Sequence, residues 1–241
     1  MDKWLRNLGL LLVLAVLVSP VACAGGTVAY ITVSPGNQVD DYTEAQLLKT
    51  QMADVTVLVQ AENGLGSAVM FTSTLALTAA HVVAKDHPMD GSQAPALEMV
   101  GILKSMDGRP WLVQAKVIKY DPELDLAVLK LEREYPYGKA KFAPHGPYLY
   151  QKCWISGHPH GVTDTTITEG RVQALWDEGF IRYSAQSTFG NSGGPVWVRD
   201  GDRFFVFSIC QRVHVEGFSA TTHLGLGVLP DKMLDFVREY H

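Results

Sequence analysis

The sequence predicts an all-β protein built from two β-barrels that a linker joins. Short segments rich in β-branched and aromatic residues follow one another at close intervals, and few segments have helical periodicity. A polar stretch at 134–147 carries five Pro and Gly residues and divides these segments into two similar sets. The composition, 47% hydrophobic and 19% charged, is typical of a packed globular chain.

The N-terminus has the residue order of a secretory signal. Basic residues precede an apolar run from 8 to 18, and Ala22-Cys23-Ala24 follows it. We expect cleavage after Ala24, which makes 1–24 a signal peptide and the mature chain secreted or periplasmic. The run is too short for a permanent membrane anchor. The segment 21–23 also resembles a lipoprotein box, so an anchor through a lipidated Cys23 is the alternative, and this would be the only membrane tether.

The predicted elements follow the chain in order. The first barrel spans about 52–133, the linker 134–147, the second barrel about 148–230, and a C-terminal helix 231–240. A further helix is predicted at 41–51. The strands are predicted at 28–33, 55–60, 67–71, 75–78, 99–104, 111–117, 126–131, 153–156, 170–175, 180–184, 195–198, 203–209 and 224–229.

Two segments of the first barrel carry side chains suited to proton transfer. His81 follows Ala79 and Ala80 at the end of an apolar strand, and an imidazole titrates near neutral pH. Asp125 begins the apolar strand 126–131, where its carboxylate is poorly solvated and needs a hydrogen-bonding partner. Taken alone, each residue is a weak signal, because such a His is more often a hydrogen-bonded structural residue and such an Asp a surface residue that begins a strand.

The most specific motif is Gly190-Asn191-Ser192-Gly193-Gly194. Its glycines allow the backbone to turn sharply, so that the Ser192 hydroxyl is presented while the amide groups of Gly190 and Ser192 converge on one point. The apolar residues 196–198 follow directly, which indicates that the turn caps a core strand.

In the chain order His, Asp, Ser, these segments resemble the triad motifs of chymotrypsin-fold serine endopeptidases. Thr78-Ala79-Ala80-His81, Asp125-Leu126-Ala127-Val128 and the motif at 190–195 carry the resemblance, which covers 52–238. The bacterial HtrA/Deg-like or glutamyl-endopeptidase-like branch is the most similar. The resemblance implies two six-stranded antiparallel barrels of the chymotrypsin type with a short C-terminal helix, in one protease domain at 25–241 that no PDZ-like domain follows.

The resemblance also implies the roles of the site residues. Ser192 is the nucleophile, His81 the general base and acid, and Asp125 the residue that orients His81. The amide groups of Gly190 and Ser192 form the oxyanion hole. The expected partners are protein or peptide substrates, with no cofactor and no metal.

Two further expectations concern specificity and activation. The resemblance implies a substrate pocket with Gln186 at its floor and with Gln211, Arg212 and Val213 on its wall. Such a pocket is a narrow neutral slot for small or medium apolar residues. Arg212 and His223 keep an acidic preference as the alternative. Relatives made as zymogens have Asp where this chain has Asn191, so we expect Asn191 to fix the loop by hydrogen bonds without an activating cleavage.

Other functions have weaker support in the sequence. A catalytically silent homologue that binds peptides is the main alternative to an enzyme. An α/β-hydrolase needs its acid and its His after the Ser, and this order is missing. The net charge of -5 argues against nucleic acid as a partner.

His158 and His160 lack a third metal ligand. Cys153 and Cys210 form either one disulfide or two buried thiols, and the oligomeric state stays open.

Overall fold

The computed structural model describes residues 38–62, 64–85, 96–106, 109–175, 180–213 and 224–240. The predicted signal peptide at 1–24 with Cys23, the candidate strand at 28–33 and His223 lie outside these residues. Among the residues described, no helix is both long and apolar enough to cross a membrane.

Six antiparallel strands close the first barrel in the order β1-β2-β3-β6-β5-β4. Successive side chains of a strand point to opposite faces, so β2 directs Ala68 and Met70 into this barrel and Val69 toward the second one. The strands are β1 (Thr56–Ala61), β2 (Gly64–Met70), β3 (Leu75–Thr78), β4 (Met99–Met106), β5 (Arg109–Asp121) and β6 (Leu126–Leu131).

The second barrel is also closed, in the order β10-β11-β12-β9-β8-β7. Its interior is filled by buried side chains that include Ile181, Tyr183 and Phe207. The strands are β7 (Lys152–Gly157), β8 (Thr166–Leu175), β9 (Phe180–Tyr183), β10 (Pro195–Asp200), β11 (Arg203–Val213) and β12 (Gly225–Val228).

A third core lies between the barrels and fixes one against the other. Val69 of the first barrel and Trp197 of the second belong to it, together with Met233 of the helix α2 (Pro230–Val237). Three buried polar side chains at this interface are paired: the Ser156 hydroxyl accepts from Trp197 Nε1 at 2.9 Å and lies 2.7 Å from Thr56 Oγ1. Burial therefore costs these polar groups little.

The predicted fold is confirmed: the protein is mostly β, with two six-stranded antiparallel barrels and a short C-terminal helix. Some bounds differ. The helix predicted at 41–51 is α1 (Gln38–Leu48), followed by a π-helical turn (Lys49–Ala53) in which Met52 is buried. The strand predicted from 170 begins at Thr166, because its polar first half pairs with β7. Pairing, rather than alternation of apolar residues, decides that end.

The two cysteines are free and buried. Burial raises the pKa of the Cys153 thiol to about 12, so this thiol is protonated at neutral pH. In the structure, Cys153 and Cys210 are thus two buried thiols rather than a disulfide.

Candidate active site

His81 lies on a short turn at the end of β3. Ala79 and Ala80 are fully packed and have side chains small enough to let the 3₁₀ turn Ala80–Val83 lie against the barrel. Val82 and Val83 are buried on the inner side of this turn. The His81 side chain points outward and keeps 31% of its surface exposed, so it is accessible to a ligand.

Asp125 is the partner of His81. Its carboxylate accepts hydrogen bonds from the His81 main-chain amide at 2.9 Å and lies within 2.9 and 3.0 Å of His81 Nδ1. Asp125 is 6% exposed. With Nδ1 donating to the carboxylate, the His81 lone pair is on Nε2, the atom on the opposite side of the ring.

The turn before β6 holds Asp125 in the left-handed region of backbone conformation, at a φ of 52°. On one side, Asp121 Oδ1 accepts from the amides of Glu123 and Leu124. On the other side, the buried Gln211 side chain donates through Nε2 to the main-chain carbonyls of Leu124 and Asp125. A conformation that is unfavourable for a non-Gly residue is thus stabilised by contacts from both sides.

Ser192 lies in the segment 188–194, which we call the Ser192 loop. The loop begins with a turn in which the Asn191 amide donates to Thr188 O at 3.1 Å, with Gly190 at a φ of +94°. This is the position at which such a turn requires a positive φ. A Cβ atom at Gly190 would lie 2.4 Å from His158 O, so only glycine fits there.

Close contacts bring Ser192 beside the turn that carries His81. Ser192 O accepts from the Ser67 amide at 2.7 Å, and a Cβ atom on Gly66 would touch both Ser192 O and Val82. The space for a Cβ at Gly193 is occupied by Thr78 Oγ1, 2.1 Å away. The Ser192 loop of the second barrel thus lies against the end of β3, where the turn that carries His81 begins.

Every carbonyl from residue 189 to residue 192 accepts a hydrogen bond. Phe189 O accepts from His160 N at 2.7 Å, Gly190 O from Ser67 Oγ at 2.7 Å, Asn191 O from Gly194 N at 2.8 Å, and Ser192 O from Ser67 N at 2.7 Å.

These bonds fix where the amide groups point, because the N–H of a trans peptide points away from its carbonyl. The bonds to Phe189 O and Asn191 O therefore fix the directions of the Gly190 and Ser192 amides. In the described part of the chain, no group accepts a hydrogen bond from either amide. These are the two amides that the sequence singled out.

Asn191 differs from expectation. Its Oδ1 atom is buried against Gly157 and has no hydrogen-bond partner among the described residues. The expectation that Asn191 side-chain hydrogen bonds fix the loop is therefore not met for this atom. Contacts from Ser67 and His160 hold the loop instead, and the sequence did not point to either residue for this role.

The four residues predicted for the pocket lie in different environments. Gln186 is exposed, and its carbonyl accepts from Thr168 Oγ1 at 2.8 Å. Arg212 is exposed, with its guanidinium 5.5 Å from the Phe180 ring. Gln211 points toward Asp125, and Val213 pairs with Gly225 in the sheet. The Val213 side chain lies outside the described part of the structure, so the pocket stays a prediction.

The main chain at 158–160 lies against the Ser192 loop, since His160 N donates to Phe189 O and a Cβ atom at Gly190 would meet His158 O. His158 is fully buried, and its Nδ1 lies 2.9 Å from Val162 O. Burial lowers the pKa of His158 to about 4, so its ring is neutral. Among the described residues, no group of three or more potential ligands could hold a metal ion.

Comparison with known proteins assigns the family. Residues 66–203, more than half of the chain, match the trypsin-like peptidase domain, and this range contains His81, Asp125 and Ser192. The chain belongs to the trypsin-like peptidase family.

Relatives within this family are serine proteases of the HtrA type. The rat protein named serine protease HTR4 is 25% identical over 171 residues, which cover 69% of this chain and 32% of the relative. The serine endoprotease from Yersinia pestis has a TM-score of 0.64 at 20% identity, over 81% of this chain and 65% of that one. The structure of the HtrA-type protease AlgW with tripeptide has a TM-score of 0.64 at 22% identity, and the match covers 81% of this chain and 62% of AlgW. The predicted resemblance to chymotrypsin-fold, HtrA-like proteases is confirmed.

Proposed function

We propose that this trypsin-like peptidase is an active serine endopeptidase with His81, Asp125 and Ser192 as its catalytic residues. The observation that carries the proposal is the pairing of His81 Nδ1 with the buried Asp125 carboxylate at 2.9 Å, on a turn that also contacts the Ser192 loop. A buried carboxylate that holds one imidazole nitrogen leaves the other to accept a proton.

The first half of the reaction forms an acyl-enzyme. His81 Nε2 takes the proton of the Ser192 hydroxyl as its oxygen attacks the peptide carbonyl carbon, and the carbonyl electron pair moves to oxygen. The tetrahedral intermediate collapses when His81 gives that proton to the amine that leaves. Asp125 stabilises the imidazolium in between.

The second half reverses these roles with water. His81 takes a proton from water as the water oxygen attacks the acyl carbon, and the proton then passes to Ser192 as the acid product leaves. In both halves the amides of Gly190 and Ser192 stabilise the negative charge that develops on the carbonyl oxygen. Fixed donors of this kind contribute about 10² to 10³ in rate.

Labelling with a fluorophosphonate tests activity against the alternative of a silent peptide-binding module. An active enzyme reacts at Ser192, and the reaction is lost in Ser192→Ala. The exposed residue Ser73 provides the control, since Ser73→Ala changes a serine outside the site. An unlabelled wild-type protein that still binds peptides would favour the binding module.

We also propose export by the signal peptide at 1–24, with a lipid anchor at Cys23 as the second candidate. Mass spectrometry of the N-terminal peptide of the exported protein decides between them. A peptide that begins at Gly25 supports cleavage by a signal peptidase, whereas a lipidated Cys23 supports the anchor.

We also propose that the mature enzyme requires no activating cleavage. A protein that begins at Gly25 and carries an added N-terminal tag should therefore hydrolyse casein without removal of the tag.

A further inference from the structure

Ser67 of β2 makes three polar contacts around the Ser192 loop, although it lies in the other barrel. It is fully buried. Its hydroxyl lies 2.9 Å from the His158 amide and 2.7 Å from Gly190 O, and its own amide donates to Ser192 O at 2.7 Å. Ser156 of β7 is an equally buried strand serine, but its hydroxyl contacts Thr56 and Trp197 instead, so it serves below as the control for Ser67.

The direction of the Ser67 hydrogen bonds follows from its partners. The His158 amide can only donate, so the Ser67 oxygen accepts from it. Gly190 O can only accept, so the single hydroxyl hydrogen of Ser67 points at that carbonyl. The neutral hydroxyl thus joins a fixed donor to a fixed acceptor, and no other rotamer of the hydroxyl hydrogen satisfies both.

The carbonyl that Ser67 holds lies between the two converging amides. The peptide from Gly190 to Asn191 links the peptide that carries the Gly190 amide to the one that carries the Ser192 amide. A rotation of the middle peptide would turn both neighbours, and glycine at φ +94° offers little resistance to it. A hydrogen bond to Gly190 O opposes that rotation.

We propose that Ser67 is a positioning residue that keeps the Gly190 and Ser192 amides directed at one point, and so ties the oxyanion site of the second barrel to the wall of the first. This inference rests on the proposed function. Ser67 does not contact the reacting atoms: it acts through the main chain of the Ser192 loop.

The surroundings of Ser67 explain why a serine suits this position. A Cβ on Gly157 would lie 3.1 Å from Ser67 Oγ, and a Cβ on Gly194 would lie 3.4 Å from Ser67 Cβ. A longer or branched side chain would therefore crowd both backbones. Alanine would fit, but it would leave the His158 amide and Gly190 O without their buried partner.

The test compares Ser67→Ala with Ser67→Cys and with the control Ser156→Ala. We expect Ser67→Ala to lower kcat on a peptide substrate about tenfold to a hundredfold with KM changed less than threefold, because the interaction lost is one that supports the transition state. Ser67→Cys keeps a weak donor and should lie between alanine and wild type. Ser156→Ala should leave kcat within about twofold.

Two further measurements separate positioning from general loss of structure. A peptide boronate places an oxygen where the oxyanion forms, so its affinity for Ser67→Ala should fall by the same factor as kcat. The affinity for a substrate peptide is measured with Ser192→Ala present, so that the peptide is not cleaved. This affinity should be equal with Ser67 and with Ser67→Ala. The pH profile of kcat/KM should keep its acid limb, since His81 and Asp125 are unchanged.

The outcomes are distinct. A kcat of Ser67→Ala within twofold of an active wild type overturns the inference alone. Equal losses of peptide and boronate affinity also overturn it, because they indicate a structural role. If Ser67→Ala does not fold, a Ser67→Cys enzyme with wild-type kcat and boronate affinity overturns it. A wild-type protein that neither hydrolyses peptides nor reacts with a fluorophosphonate overturns the proposed function, and the inference with it.

Discussion

The side-chain amide of Gln211 donates a hydrogen bond to the main-chain carbonyl of Asp125, with 3.0 Å between Nε2 and the oxygen. Gln211 also donates to the carbonyl of Leu124, so one buried side chain of the second barrel holds the turn that carries Asp125. The carboxylate of Asp125 is left to His81. The backbone and the side chain of Asp125 are therefore held by different partners.

We predict that Gln211→Met lowers both activity and stability. Methionine has a similar length but no N–H donor, so the buried carbonyl of Asp125 and the half-buried carbonyl of Leu124 lose their partner at a cost of about 1 to 3 kcal/mol. The resulting shift of Asp125 should reduce kcat more than it raises KM. Urea unfolding and steady-state kinetics measure the two effects, and the exposed Gln114→Met is the control. Unchanged kcat in a destabilised protein would show that Gln211 is structural only.

The triad variants should be inactive but folded. Ser192→Ala removes one hydroxyl at a turn, so the free energy of unfolding changes by less than about 0.5 kcal/mol, while kcat falls by about 10⁶. His81→Ala should be comparably severe, and Asp125→Ala somewhat less so, at about 10⁴. Hydrolysis rates and thermal unfolding check both expectations. Residual turnover of Ser192→Ala within tenfold of wild type contradicts the assignment.

The sequence could predict the barrels, and it could point to His81, Asp125 and Ser192 as candidate catalytic residues, because both have local signals. The motifs around His81 and Ser192 are contiguous, and most strands have the expected run of apolar residues. Ser67 and Gln211 lacked such a signal: each acts on a loop more than 80 residues away, with separations of 123 residues from Ser67 to Gly190 and 86 from Gln211 to Asp125. Only the pairing of the two barrels brings them to the site.

Two glycines with positive φ should respond differently to alanine. Gly190→Ala places a Cβ 2.4 Å from His158 O, so the loop must move and fluorophosphonate labelling should fall at least a hundredfold. Gly201, at a φ of +58°, has open space around it. Gly201→Ala should cost about 1 to 2 kcal/mol of stability through backbone strain, with full labelling. Similar labelling of the two variants would contradict this interpretation of the loop.

Stability should fall between pH 6.5 and pH 4 because of His158. Burial lowers its pKa from 6.5 in the unfolded chain to about 4, so the unfolded state binds a proton that the folded state excludes. The stabilisation is therefore complete above pH 6.5 and is lost as the pH falls, by up to about 3 kcal/mol. His158→Asn can still donate to Val162 O but does not titrate. Urea unfolding at several pH values should give a flatter profile for this variant, and an identical profile would contradict the prediction.

Cleavage should be fastest after small or medium apolar residues such as Ala, Val or Leu. The position predicted at the pocket floor is the neutral residue Gln186, so no carboxylate is expected there to select Lys or Arg. Val213, with its β-branched side chain, is predicted to narrow the slot. Discrimination per methylene is expected to be about 1 to 3 kcal/mol.

Arg212 supports the alternative of cleavage after Glu, since its exposed guanidinium could pair with an acidic side chain. The control for this alternative is Arg212→Gln, which removes the charge while keeping polarity. A panel of peptides that differ only at the residue before the cut decides between the two. Fastest cleavage after Glu that is lost in Arg212→Gln favours the acidic pocket, and fastest cleavage after Lys or Arg contradicts both versions, because a neutral floor has no carboxylate to bind those cations.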